Sequence, residues 1–404
     1  MMDMSDSMRP TGRVVERLRA GAVALMGTLL VVPLASTLGA QARVLKVPSQ
    51  ILGETKVVHL QLPRDYNVAR QRYPVVVLLD GQVRAFFDLT VAAADYDLTS
   101  EQFPVGMPRQ IVVAVEHGDR GADLGRNADA FLRFLTTELL PRIDRDYRTL
   151  PFRTLIGHSR GGAFALRAMC REPKAFPAII AISPSIADTL DAEVTRCVTS
   201  DSTHVQRHLV LSAGSLEPRA LASTERLLTR LRERLPANWR VQQVQATGYE
   251  HTGTPLITIP QGLRFVFESS VWELPKAYHD SLAQRQGDPE QVLNAGLAAL
   301  SARLGFPVPA SARLMQAVVQ TWLSRGDAAR AMASARELLA RYPEEMLSHT
   351  LMADVCVLSG DQAGMRKAIQ GALDMSNRIV WFDETQKAQF QTEMRRLLAS
   401  SGRH

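Results

Sequence analysis

Between residues 44 and 272, short apolar and β-branched runs alternate with stretches whose apolar residues fall at helical spacing. "KVVHLQL" (56–62) alternates as a half-buried strand does, and "YPVVVLLDG" (73–81) is an apolar run stopped by Asp-Gly. "RQIVVAVEHG" (109–118), "RTLIG" (153–157), "AIIAIS" (178–183) and "HLVLSAG" (208–214) repeat that format, and "RVQQVQA" (240–246) alternates again. Between them, "NADAFLRFLTTELLPRIDRDY" (127–147) places Phe131, Phe134, Leu135, Leu139 and Ile143 on one helical face. "TERLLTRLRERL" (224–235) and "LRFVFESS" (263–270) also read as helices. Apolar strands alternating with helices predict a mostly parallel sheet covered on both faces. Ligands of such sheets collect at the carboxyl ends of the strands, here the loops after Leu79, Val115, Ile156, Ile182 and Ala213.

The segment before this block reads differently. Arg9, Arg13, Arg17 and Arg19 precede the apolar "AGAVALMGTLLVVPL", and Ala40-Gln41-Ala42 fits an A-x-A cleavage site. Residues 1–42 are expected to be a signal peptide, its apolar part shorter than a membrane span needs. Cleavage would leave a periplasmic or secreted protein with no stable membrane span. The net charge of +6 over 404 residues is mild, and no Lys/Arg block marks a nucleic-acid footprint. No Cys/His cluster suggests a metal, and the pairing of Cys170, Cys197 and Cys356 stays open, as free thiols or one incidental disulfide.

Beyond residue 272 strand signals vanish and Leu, Ala, Met and Arg dominate. "WLSRGDAARAMASARELLARYPEE" and "CVLSGDQAGMRKAIQGALDMSNR" align with a shift of 34, Gly326 onto Gly360, Asp327 onto Asp361 and Leu338 onto Ala372. That period, with Ala331 at a packing position and Pro343 closing the unit, resembles the tetratricopeptide repeat. The second unit departs from it, with Met365 for the small residue and no closing proline. The expected organisation is a signal peptide (1–42), an α/β domain (43–272) and a small all-α helical-repeat domain (273–404). The last is expected to offer a surface for a protein partner, or to pack on the first and shape its entrance.

The chemistry centres on Gly157-His158-Ser159-Arg160-Gly161, a G-x-S-x-G sequence between a buried strand and a helix. A nucleophile elbow needs that context: small flanks let strand and helix pass closely while the serine hydroxyl stands above the sheet. Gly162 eases the helix entry. A serine also needs a base oriented by an acid, in the chain order Ser, acid, His. His251, in "TGYEHTGTP" directly after a strand, is the expected base, whereas His204 and His208 precede a strand and read as solvated. Glu217, after "HLVLSAG", is the first choice of acid, with Glu250, Asp188, Asp191 or a Ser–His pair without a third member as alternatives. Two main-chain N–H groups must meet the oxyanion. One is expected from Arg160 and the other from the Asp-Gly loop at Gly81 or Gln82, where glycine would let the backbone approach the substrate.

Seven segments in order carry a family resemblance over roughly residues 45–270. They are "LGETKVVHLQLPRDY", "YPVVVLLDGQ", "IVVAVEHGDRGADL", "FLRFLTTELLPRIDRDYRT", "IGHSRGGAFALRAM", "AISPSI" and "GYEHTGTPLITIPQGLRFVF". The chain resembles the putative esterase family of α/β-hydrolases, the group around esterase D and the enterochelin-type and feruloyl esterases. The resemblance implies Ser159 as nucleophile, His251 as base, and Gln82 and Arg160 as oxyanion donors. It also marks Arg120 and Asp123 as lining or bracing the site; Gly81 and His158 are further candidates for contact with substrate. Two departures stand out. The stretch between "DRGADL" and "NADAF" is short, implying an open site, and Arg160 stands where an apolar residue is commoner.

The expected function is a cofactor-free serine hydrolase cleaving a carboxylic ester through an acyl-enzyme on Ser159. An acyltransferase of the same fold, or a non-catalytic exported binding protein using the helical repeats, are the alternatives.

Overall fold

Eight strands form one sheet in the computed structural model, which describes residues 42–63, 66–67, 69–95, 108–377 and 384–400. Residues 1–41 of the expected signal peptide lie outside the described residues. In chain order the first block comprises β1 (Arg43–Ser49), β2 (Glu54–Gln61), β3 (Tyr73–Leu78), α1 (Arg84–Asp95) and β4 (Ile111–Val115). Then come α2 (Ala128–Arg133), α3 (Leu140–Asp146), β5 (Thr149–His158), α4 (Arg160–Arg171), β6 (Ala178–Ile182) and α5 (Asp188–Thr199). β7 (Arg207–Gly214), α6 (Pro218–Glu233), β8 (Trp239–Ala246), α7 (Thr254–Phe267) and α8 (Ser269–Trp272) complete it. The strand order is β1-β2-β4-β3-β5-β6-β7-β8. The first two strands run antiparallel to their neighbours, and the pairs from β4 to β8 are parallel.

Alternation along each strand feeds two cores, one on each face. Val75, Val77 and Leu155 pack with Phe131, Phe134 and Phe164 on one side. Val76, Leu78, Ile156 and Ile180 pack with α7 residues Ile259, Leu263 and Phe267 on the other. The amphipathic stretch 127–147 is not one regular helix. Between α2 and α3, Phe134–Leu139 is π-helical. Pro141 follows at once; it has no N–H, and its ring crowds the carbonyl four residues back, which a wider turn relieves.

From Lys276 onward the regular elements among the described residues are all helices: α9 (Lys276–Ala283), α10 (Pro289–Leu304), α11 (Ala312–Arg325), α12 (Ala328–Arg341), α13 (Met346–Ser359), α14 (Gln362–Ser376) and α15 (Glu384–Ser400). Both α11 and α13 end on left-handed glycines, Gly326 and Gly360. The aspartates that follow each cap the next helix, Asp327 on Arg330 N–H and Asp361 on Gly364 N–H. The repeated Gly-Asp thus has a local cause: it ends one helix and starts the next.

This helical region sits at the amino ends of the strands. Arg303 on α10 donates to the carbonyls of Val271 and Glu273, and its own carbonyl accepts from Gln206, just before β7. Glu344 accepts from Arg70 N–H, just before β3. A cavity of about 270 Å³ lies at the junction, with Tyr73, Leu150, Trp272, Leu300, Leu314 and Tyr342 among its walls. Leu150 and Ser159 are separated by most of β5, roughly 30 Å at about 3.3 Å per residue. The expectation that these helices shape the entrance is therefore corrected, because they close the opposite end of the sheet.

Candidate active site

The carboxyl ends of β3, β5, β6, β7 and β8 lie along one edge, as the pairings Leu78 with Ile156, His158 with Ile182 and Gly214 with Ala246 require. Among the described residues, four that are not glycine have positive φ, and three stand at that edge: Asp80 (62°), Ser159 (58°) and Ser183 (39°). Such strain persists only where surrounding contacts over-determine it. At Ser159 they do. Its N–H donates to Ile182 O at 2.8 Å, and its carbonyl accepts from Ala163 and Ser185 at 3.0 and 3.2 Å. A side chain at Gly157 would collide with the Gly161 carbonyl, so strand and helix cross at bare backbone. Ser159 is half-buried, and its hydroxyl makes no hydrogen bond among the described residues.

Glu217 stands at the N-cap position of α6 without capping it by its side chain, and both carboxylate oxygens are bonded elsewhere. One oxygen accepts from Ser183 Oγ (2.7 Å), Gly214 N–H (2.9 Å) and Thr254 Oγ1 (3.0 Å), while the other meets His251 Nδ1 at 2.5 Å. Burial alone pushes its pKa up. The hydrogen bonds from Ser183, Gly214, His251 and Thr254 outweigh that and hold it below the usual range. The competing acids are elsewhere. Glu250 bonds the Thr252 hydroxyl, Asp188 is exposed beside Arg226, and buried Asp191 pairs with Arg226 and Arg230. His204 is exposed as expected, but His208 is wholly buried, which corrects its reading as solvated.

Across the same edge from Glu217, the β3 loop turns back on β4. Gly81 N–H donates to Val115 O and Val83 N–H to Asp80 O, each at 2.8 Å. The main-chain N–H groups of Gln82 and Arg160 are left with no acceptor among the described residues. Gly81 is a glycine for a different reason than expected. A Cβ there would meet the Ala114 carbonyl carbon at 2.8 Å, so the close approach is to β4 and not to a substrate.

The residues expected on the substrate side turn out to brace it. Arg120 donates Nε to Asp80 Oδ1 (2.5 Å) and Nη2 to both Asp80 Oδ2 (2.9 Å) and the His158 carbonyl (3.0 Å). His158 Nε2 donates to the His251 carbonyl at 2.9 Å. Burial chiefly, and then the neighbouring His251, lower the pKa of His158. Asp123 is 3 % exposed, its carboxylate taken by Lys56 and His117, so it has no access to a substrate. Arg160 is exposed, with its guanidinium over Gly121. Sequence reasoning missed Asp80, Lys56, His117, Ser183 and Thr254. Only Lys56 carried a readable signal, a lysine on the same strand face as Val58 and Leu60.

Cys170 at the end of α4 is disulfide-bonded to Cys197 on α5, and Cys356 is a buried free thiol. Among the described residues no group of three or more His, Cys, Asp or Glu is placed to hold a metal ion, and no helix is long and apolar enough to cross a membrane.

A mostly parallel eight-stranded sheet with a strained serine between strand and helix defines an α/β-hydrolase fold. The chain belongs to the putative esterase family, whose match runs over residues 49–286. It is 31% identical over 147 residues to the ferri-bacillibactin esterase BesA of Bacillus subtilis (strain 168), covering 34% of this chain and 51% of BesA. The chain thus spans about half the length of that curated relative. Its fold is similar to that of an IroE-like serine hydrolase from Shewanella oneidensis (TM-score 0.59, 20% identity, 75% of this chain and 100% of the other). It is also similar to that of an uncharacterised protein from Capnocytophaga ochracea DSM 7271 (TM-score 0.57, 17% identity, 89% and 100%).

Proposed function

We propose that the protein is a serine esterase that hydrolyses a carboxylic ester through an acyl-enzyme on Ser159. The observation that carries this reading is the hydrogen bond of Glu217 to His251 Nδ1 at the sheet edge that presents Ser159. Ser159 Oγ attacks the ester carbonyl while His251 Nε2 takes its proton. The Glu217 carboxylate fixes the tautomer and steadies the imidazolium that forms. The tetrahedral oxyanion is received by the main-chain N–H groups of Gln82 and Arg160, each such donor worth about 10²–10³ in rate. His251 returns the proton to the leaving alcohol, and water then repeats the cycle on the acyl-enzyme.

The His251 side chain is 43% exposed, so water reaches the base readily. That favours hydrolysis over transfer to a second alcohol. The disulfide between Cys170 and Cys197 supports an exported, periplasmic or secreted location, because such bonds persist in oxidising compartments. The C-terminal helices lie away from this edge and serve as a packing domain of the enzyme.

The test is turnover of short-chain aryl esters and of ferri-bacillibactin, the compound in the name of the B. subtilis relative. Wild type is expected to hydrolyse at least one and Ser159→Ala none. Equal rates for both proteins would refute the reading.

A further inference from the structure

Gln82 is held by its side chain from two directions. Its Nε2 donates to Asp80 Oδ1 at 3.3 Å, the carboxylate that Arg120 grips. Its Oε1 accepts from the main-chain N–H of His117 at 3.1 Å. The second tether leads inward. The His117 ring is fully buried, 5.1 Å from the Phe131 ring, and its Nδ1 donates to Asp123 Oδ2 at 2.8 Å. The same oxygen takes the ammonium of Lys56 at 2.5 Å, and Lys56 is 2 % exposed. A second carboxylate, Glu54 at the surface, meets Lys56 at 2.7 Å.

A buried cation, carboxylate and imidazole thus run in line from β2 to the loop after β4, and end on the side chain of Gln82. Burying such charges gives little net stability, since apolar replacements of similar volume often do as well. What the line supplies is direction. The loop after β4 is irregular from Glu116 to Asp119, and Asp123, in the helical turn that follows, holds it through His117. With that loop fixed, the amide of Gln82 cannot swing out with its side chain, and its unpartnered main-chain N–H stays aimed at the site.

We propose that Lys56 and His117 are positioning residues for the oxyanion hole, acting through Asp123 and the Gln82 side chain. The inference rests on the serine-esterase reading. Neither residue touches substrate; they set where one of the two oxyanion donors points. A misplacement of about 1 Å in such a group costs up to about 10² in rate.

The experiment is a double-mutant cycle of Lys56→Met and Gln82→Ala, with His117→Asn as a third variant, on a chromogenic ester. Melting temperature confirms folding in each. Gln82 is exposed, so Gln82→Ala keeps the fold and the main-chain N–H while cutting the tether. Each single variant is expected to lower kcat about 10- to 100-fold with KM within about threefold. Each should weaken an aryl trifluoromethyl ketone, which forms the oxyanion on Ser159, by the same factor. In the Gln82→Ala background, Lys56→Met should cost less than about threefold more, because the shared route is already cut.

Full kcat in Gln82→Ala, or losses that multiply in the double variant, would overturn the proposal. So would losses confined to KM, which mark a lost ground-state contact and not a misplaced oxyanion donor. A wild type that turns over no ester and resists fluorophosphonate would instead overturn the parent reading, and the two failures are told apart in the same assay.

Discussion

His158 donates Nε2–H to the main-chain carbonyl of His251 at 2.9 Å, and the two rings lie 4.4 Å apart. The residue before Ser159 therefore holds the loop that bears His251. Arg120 ties the same residue to the β3 loop through the His158 carbonyl and Asp80. The three loops that must cooperate are joined through one side chain and one carbonyl.

Replacing that link should loosen the His251 loop and leave the imidazole in place. His158→Leu keeps the apolar bulk against Phe86 and loses the hydrogen bond. A fall in kcat of about tenfold is expected, with the melting temperature lowered by a few degrees. Steady-state kinetics beside a thermal melt check this, and an unchanged kcat would show that the loop holds itself.

Glu217 is separated from its competitors by one comparison. Glu217→Gln leaves the volume but turns the carboxylate into an amide that supports the wrong tautomer, so kcat should fall about 10²–10⁴-fold. Glu250→Gln should leave kcat within about twofold, since its carboxylate bonds only Thr252 among the described residues. Asp191→Asn should cost stability and not kcat, because it removes a buried partner of Arg226 and Arg230.

His208 makes stability depend on pH. It is wholly buried, both ring nitrogens lack partners among the described residues, and burial, then Arg240 and Arg303, push its pKa to about 3 from an ordinary 6.5. A pKa depressed by folding means that the unfolded chain binds the proton more tightly. Stability from this group is whole above pH 6.5 and is lost as pH falls toward 3. Between pH 7 and pH 5 the loss is about 2 kcal/mol. Urea melts across that range should show it in wild type, and His208→Leu should flatten the slope.

The disulfide closes a loop 27 residues apart in sequence, and its loss should cost about 3–4 kcal/mol. Because Cys170 lies at the end of α4 remote from Ser159, activity at low temperature should survive. Denaturant melts of Cys170→Ser/Cys197→Ser beside its kinetics test both halves.

How far the sequence revealed this arrangement varies with the kind of signal. β2 and β8 were legible from their alternation, and β3 to β7 because apolar runs bounded by turn residues leave a local pattern. The edge strand β1 was not, since four of its seven residues are exposed and it offers no apolar run. α1 escaped because its apolar residues, Phe86 to Ala94, show no clear turn or cap. Ser159 and His251 stood out because each sits in a loop after a strand with small neighbours. The strand before Glu217 ranked it first, but the sequence could not separate it from Glu250, whose carboxylate bonds Thr252, or from Asp191, which α5 buries against Arg226 and Arg230. His208 looked like a solvated residue at a strand start. The α10 helix, with Arg303, and Phe306 just beyond it, packed on Phe152, cover that end of the sheet, and only tertiary structure shows it. Lys56 was readable in principle: a strand that alternates inward and outward had put a charge on its inward face.

The most direct test is labelling of the purified protein with a fluorophosphonate, followed by peptide mass mapping. An activated Ser159 predicts one labelled peptide, the one containing "GHSRGG", with labelling abolished in Ser159→Ala and slowed at least about 10³-fold in His251→Ala. Folded wild-type protein that takes up no probe, or takes it up equally in Ser159→Ala, would contradict the assignment of Ser159 as the nucleophile.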